Sequence, residues 1–191
     1  MAGHTWLKYL EEFEQDMVRS LKRLGYDAMM DAYLKRGFRH RTRNLHDSYA
    51  SAVYVNGVLV KSSVKYIGNP MSRKKDHVTG KNGRQTVKDY LERISPGSKN
   101  GEIVLVVVAA MYYAGILESS WNPGKRRKRK GEKEEDSKDR KPTGNPSRII
   151  VISPARQYID KHYMTYVGEV YRKYGIKDKP KAKVIKGENI L

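Results

Sequence analysis

The feature that most constrains this chain is its one continuous apolar run. Ile103-Val104-Leu105-Val106-Val107-Val108 is five β-branched residues and one Leu, set in a sequence otherwise broken up by charge. β-Branched side chains lose χ1 freedom in a helix and pack well on a pleated surface. The run therefore predicts a strand buried on both faces, the spine of the core. After Ala109-Ala110 the spacing changes. Met111, Tyr112, Tyr113, Ile116 and Leu117 fall near a helical period, which predicts a short helix ending near Glu118. A membrane span is the competing reading. It fails because a span needs about 20 apolar residues, and the uncharged stretch here is shorter and holds Tyr and Gly.

One such run supports one core. The chain has 191 residues, 38% apolar and 31% charged, so the expectation is a single α+β domain over residues 1–175 with a modest core. Residues 122–147 form a charged insertion, and residues 176–191 a Lys-rich tail. Fourteen Tyr against two Phe point to interfaces, because Tyr buries a ring while its hydroxyl stays wet or hydrogen-bonded. The absence of Cys excludes disulfides and thiolate metal sites and fits assembly in a reducing cytoplasm. The N-terminus, MAGHTWLKYLEEFEQD, is acidic and amphipathic, unlike a signal peptide. The net charge of +18 favours a polyanionic neighbour, unless much of it sits in mobile tails.

Along the chain, Thr5 is the expected cap of a helix whose apolar stripe is Leu7, Leu10, Phe13, Met17, Leu21, Leu24 and Ala28. The helix is expected to run through Tyr33 and stop at Gly37, with Gly25 as its kink site. Asn56-Gly57 lies between Val53-Tyr54-Val55 and Val58-Leu59-Val60, a strong local signal for a β-hairpin. Residues 68–83 read as a basic loop. Val87, Tyr90, Leu91 and Ile94 mark one face of a short helix closed by Ser95-Pro96-Gly97. Residues 148–152 predict a short strand. Ser153 is the expected N-cap of a last helix with Pro154 at its first position, ending at Gly175. The order implies a mostly antiparallel sheet containing the Asn-Gly hairpin. The long N-terminal and C-terminal helices pack on that sheet, with the helices on one face.

No catalytic constellation emerges. The five His (His4, His40, His46, His77 and His162) form no HExxH or i, i+4 pair and read as polar surface residues, so no metal and no cofactor are expected. Gly80-Lys81 lacks the earlier Gly and the following Ser or Thr of a phosphate loop. No Ser sits in a G-x-S-x-G turn. The expectation is a protein that is not an enzyme. The strongest charge feature is Lys125-Arg126-Arg127-Lys128-Arg129-Lys130. It either neutralises phosphates without reading sequence, or stands as a solvated loop balanced by Glu132, Glu134, Glu135, Asp136 and Asp139.

Three segments, taken in order, resemble the head–tail connector and tail-completion family of tailed bacteriophages. Arg41-Thr42-Arg43-Asn44-Leu45-His46-Asp47-Ser48 is similar to its Thr-Gly-x-Leu-x-x-Ser lead-in to the first strand. Met111-Tyr112-Tyr113-Ala114-Gly115-Ile116-Leu117-Glu118 is similar to its Tyr-Ala-x-x-x-Glu-x-Gly-Thr segment. Ile150-Val151-Ile152-Ser153-Pro154-Ala155 is similar to its strand running into Pro-Ala. Arg43 stands where the family prefers Gly, and Ser119-Ser120 replace its Gly-Thr. The resemblance implies a virion protein of the neck, assembled in the host cytoplasm and not bound to membrane. Such a protein forms a homo-oligomeric ring, six- or twelve-fold, between portal or adaptor and tail proteins, around a channel for double-stranded DNA. On this reading Tyr112, Tyr113, Glu118 and Trp121 are the expected subunit contacts. Lys125 to Lys130 would face DNA or a neighbouring ring. A basic, sequence-nonspecific nucleic-acid-binding protein is the alternative.

Overall fold

The computed structural model describes residues 2–35, 44–64, 75, 80–97, 101–111, 114, 121–122, 147–148 and 152–178. In chain order the elements are α1 (Ala2–Leu34), α2 (Asn44–Asp47), β1 (Tyr49–Val55), β2 (Val58–Val64), α3 (Gly83–Arg93), β3 (Ile103–Ala109), β4 (Trp121–Asn122), β5 (Ser147–Arg148) and α4 (Ser153–Lys173). The fold is α+β, as expected. A three-stranded antiparallel sheet, in the order β2-β1-β3, carries the N-terminal and C-terminal helices. No helix among the described residues is long and apolar enough to cross a membrane.

The hairpin forms where Asn-Gly requires it. Asn56 and Gly57 take φ of 52° and 79°, the left-handed pair that a two-residue type I′ turn needs. Val55 faces Val58 and Tyr54 faces Leu59. Val53 then faces Lys61, so Val60 is the extra residue of a bulge. The turn is tied to the third strand. Gly101 N–H donates to Asn56 Oδ1 (2.7 Å), and Asn56 N–H donates to the Glu102 carbonyl (2.9 Å).

The aliphatic run is not the spine. β3 pairs with β1 on one side only among the described residues, and all seven of its residues are partly exposed. The spine is β1, Tyr-Ala-Ser-Ala-Val-Tyr-Val, whose seven residues are all buried. It is covered from both sides, which corrects the one-face expectation. Tyr49, Val53 and Val55 share their clusters with α1 residues from Met17 to Ala32, with Val167 and Val170 of α4 close by. Ala50, Ala52 and Tyr54 pack on Val87 and Leu91 of α3. Small residues on the central strand let two helical layers come close.

Gly25 is part of that closeness and not a kink. α1 runs unbroken through it, and a Cβ there would lie 2.6 Å from Leu105 Cδ1 and 3.0 Å from Ser51 Cβ. α1 also begins at Ala2, ahead of the expected cap Thr5, and ends at Leu34; Gly37 lies outside the described residues. α4 starts one residue earlier than expected. Ile152 holds the cap position, its carbonyl accepting from Ala155 N–H (3.0 Å), and Ser153 is already helical. The stop at Gly175 is as expected. Its φ is +67°, Gly175 N–H donates to Arg172 O (3.2 Å) and Ile176 N–H to Tyr171 O (2.9 Å), the paired bonds of a Schellman end.

Tyrosine is used differently from the expectation. Tyr49 and Tyr54 are the largest fully buried side chains among the described residues, at 0% exposure. Tyr54 can be a core residue because its hydroxyl donates to the Leu91 carbonyl (2.6 Å), so no polar atom is stranded. Other tyrosines lock α1 to α4. Tyr166 Oη–H donates to Asp27 Oδ2 (2.6 Å), and Ser20 Oγ–H to the Tyr166 carbonyl (2.7 Å). Asp16 accepts from Lys173 Nζ (2.5 Å), Tyr174 Oη (3.0 Å) and Arg19 (2.8 Å).

This seam has a consequence in acid. The Lys173 hydrogen bond first, and then the Tyr174 one, hold the Asp16 carboxyl below the usual value of 3.8. A carboxylate depressed in the folded state stabilises the fold above its unfolded pKa, and that contribution is lost as pH falls through the folded one. Asp16→Asn is therefore expected to lower stability at pH 7 and to flatten the fall in stability below about pH 4. Urea denaturation at pH 7 and pH 3 measures both. Equal acid slopes for the two proteins would remove Asp16 from the account.

Candidate functional site

The described residues give the domain two ends. At one end β1 begins, β3 finishes, α1 finishes and α4 begins. Here Leu45, Tyr49, Met111, Ala114 and Ala155 form one buried cluster with Ala28, Met29 and Ala32 of α1, and Ile152 packs on its edge. Each of the three segments that carry the connector resemblance thus supplies a residue to this cluster. The lead-in gives Leu45, the segment after β3 gives Met111 and Ala114, and the strand-to-helix segment gives Ile152 and Ala155.

The lead-in is built tightly. Ser48 Oγ–H donates to the Leu45 carbonyl (2.8 Å), closing α2 just before β1. A Cβ on Gly83 would stand 1.9 Å from the Asn44 carbonyl oxygen, so the first residue of α3 abuts the α2 backbone. α3 itself opens with a capping box. Gln85 N–H donates to Asn82 Oδ1 (2.9 Å) and Asn82 N–H to Gln85 Oε1 (3.2 Å).

His46 is not the surface residue expected. Its side chain is 13% exposed. Nδ1 lies 2.8 Å from Asp47 Oδ1 and Nε2 lies 2.5 Å from the Tyr33 hydroxyl. With Nδ1 protonated, Asp47 fixes the tautomer and Nε2 accepts from Tyr33. Carboxylate, imidazole and hydroxyl in series is the order used to activate a nucleophile. Tyr33, however, is buried, and its ring stands edge-on to His46 and Tyr49 (centroids 4.6 and 6.4 Å). The arrangement binds the end of α1 to the lead-in. Tyr33 and His46 are 13 residues apart, so no local pattern marks the pair. Among the described residues no group of three His, Cys, Asp or Glu could hold a metal ion.

The charged insertion is bracketed by β4 and β5. Ala114 N–H donates to Met111 O (2.8 Å), the turn that follows β3, and β4 and β5 pair antiparallel. Their register sets Trp121 opposite Arg148 and Asn122 opposite Ser147. The two limits of the expected insertion, 122 and 147, are therefore paired with each other. Arg148 is four residues from Ile152, which bounds their separation at about 14 Å. Of the expected subunit contacts, only Trp121 falls on a described element. Tyr112, Tyr113, Glu118 and the run Lys125, Arg126, Arg127, Lys128, Arg129 and Lys130 lie outside the described residues, as do the expected helix beyond 114 and strand residues 149–151.

Comparison with protein-family models, with curated proteins and with solved structures finds no match to this chain.

Proposed function

We propose that this protein is a structural component of a tailed-bacteriophage virion, forming a ring in the neck that joins portal and head to tail around the DNA channel. The observation that carries the reading is the meeting of the three family-like segments in one cluster, through Leu45, Met111, Ala114 and Ala155. A shared fold would require these segments to meet, and the cluster meets that requirement. Two further features support it. Acidic and basic groups are segregated along the chain: Glu11, Glu12 and Glu14 lie on the first turns of α1, and Lys125 to Lys130 lie in the insertion between β4 and β5. A closed ring uses one patch against a different patch on the next copy, which such polarity suits. The basic run, which begins three residues after Asn122 in the sequence, would meet DNA or an acidic neighbouring ring. The role needs no catalytic group and no cofactor.

Electron microscopy of the purified protein, alone and with portal complexes, tests the proposal. Rings of six or twelve copies, or addition to the portal, are the expected result. Replacement of Lys125 to Lys130 by Gly and Ser is expected to reduce particle assembly, because it removes every charge-assisted contact the run could make. A monomer that joins no assembly but binds DNA tightly would overturn the ring reading in favour of a nucleic-acid-binding protein. Its affinity should then fall with salt at a log–log slope of about −5 for six neutralised phosphates.

A further inference from the structure

The first turns of α1 run past the end of the sheet. The stripe that buries Met17, Leu21, Leu24 and Ala28 continues toward the N-terminus as Leu10 and Leu7, but there it is uncovered. Leu10 is 44% exposed, Leu7 62% and Trp6 61%. Three large apolar side chains exposed together on the first turns of α1 make a contiguous apolar patch, the kind of surface that marks an interaction site. Glu14 and Glu11 follow Leu10 and Leu7 by one helical turn each, so the stripe is flanked by negative charge.

The same place is where the chain leaves α4. Trp6 stacks on Tyr9 (5.6 Å, 15° between planes), and Tyr9 meets Tyr174 edge-on (5.1 Å). The Tyr9 hydroxyl donates to the Tyr174 carbonyl (2.7 Å), and Phe13 meets the Tyr174 ring at 5.3 Å. The Schellman end at Gly175 then turns the chain out of the helix beside this aromatic row. Beyond Asp178 the sequence is KPKAKVIKGENIL. It carries Lys179, Lys181, Lys183 and Lys186 against Glu188, with Val184-Ile185 and Ile190-Leu191 as its apolar pairs. Its composition is the complement of the exposed helix.

We infer that residues 179–191 dock along the uncovered stripe of α1 in their own chain, with Val184 and Ile185 on Leu7 and Leu10 and the lysines on Glu11 and Glu14. Reach is sufficient. Ile185 lies seven residues past Asp178, about 24 Å when extended, whereas Ala2 to Tyr9 is about 10 Å of helix. The short tether sets an effective concentration in the millimolar range, so even a weak contact is populated within one chain before a second copy competes. The inference does not depend on the ring reading.

The full-length chain has no Cys, which makes disulfide trapping clean. Leu10→Cys with Ile185→Cys, oxidised at low protein concentration, is expected to close an intramolecular disulfide at least about tenfold faster than Glu12→Cys with Ile185→Cys. Glu12 occupies the opposite face of the same turn, so an untethered or freely swinging tail would react with both alike. Adding Lys181→Glu and Lys183→Glu is expected to slow the first pair several-fold and to leave the control pair unchanged. Equal rates for the two pairs would overturn the inference. So would disulfides that form between chains in proportion to concentration, since these place the tail on a second copy.

Discussion

Gly83→Ala is expected to be among the most destabilising single-methyl changes this chain can suffer. The added Cβ would stand 1.9 Å from the Asn44 carbonyl oxygen, 2.8 Å from its carbon and 3.1 Å from Asn44 Cα. All three are backbone atoms, so no side-chain rotation relieves the overlap. α3 would have to move away from α2. Its Val87 and Leu91, 0% and 2% exposed, would then lift from the sheet face that holds Ala50, Ala52 and Tyr54. Overpacking at a rigid contact costs about 3 kcal/mol or more, which for a chain of this size lowers the melting temperature by roughly 10 °C. Gly25 is the internal comparison. There the nearest atom is Leu105 Cδ1 at 2.6 Å, a terminal methyl that can turn aside, and Ala also gains about 1 kcal/mol of helix propensity. Thermal melts of both variants by circular dichroism should separate them clearly. Should Gly83→Ala melt within about 2 °C of the parent, the α2–α3 contact carries little of the fold.

Legibility followed how local each cause was. The hairpin could be read because Asn56-Gly57 is itself the reason for the turn, and the end of α4 because Gly175 is itself the reason for the stop. The stripe of α1 could be read from spacing alone, although spacing does not tell that its first third overhangs the sheet. The position of β3 could not be read. Aliphatic richness reports how much apolar surface a strand offers, whereas its place in the sheet depends on which strand pairs with it. The true centre, β1, looks unremarkable because its Ala50, Ser51 and Ala52 are small. They are small so that Gly25 can approach Ser51 on one face and α3 can approach on the other. α3 was legible as a helix but not as a second layer, since a buried stripe of Val87 and Leu91 does not name the face it covers. The pairing of Tyr33 with His46, and the meeting of Leu45, Met111, Ala114 and Ala155, are contacts between segments far apart in the chain. For the expected interface, sequence supplied residue types at Tyr112, Tyr113 and Glu118 and charge at Lys125 to Lys130. The structure adds the backbone pairing of Trp121 with Arg148.

Tyr54 distinguishes the two forces that hold α3 to the sheet. Its ring is fully buried among Ala50, Ala52, Val87 and Leu91, while its hydroxyl donates to the Leu91 carbonyl. That carbonyl lies in the last turn of α3, where helix acceptors have no partner within the helix. Tyr54→Ala removes both contributions and leaves a cavity between two layers, an expected cost of about 3–5 kcal/mol. Tyr54→Phe keeps the ring and strands only the acceptor, an expected cost of about 1–2 kcal/mol. Alkali supplies a second readout. Burial pushes the Tyr54 hydroxyl up from 10.0 to about 12, with repulsion from Tyr90 adding to it. A group whose pKa is raised on folding stabilises fully below its unfolded value, and the contribution disappears as pH climbs through the folded one. The parent should therefore lose stability between pH 10 and about 12. Tyr54→Phe should lose it on a shallower slope, because Tyr90, Tyr163, Tyr166 and Tyr174 are raised as well and keep part of it. Urea unfolding of the three proteins at pH 7 and pH 10.5 gives both comparisons. If Tyr54→Phe costs as much as Tyr54→Ala, the hydroxyl and not the ring holds the layer. If it costs nothing and the alkaline slopes coincide, the hydrogen bond to Leu91 contributes nothing to the fold.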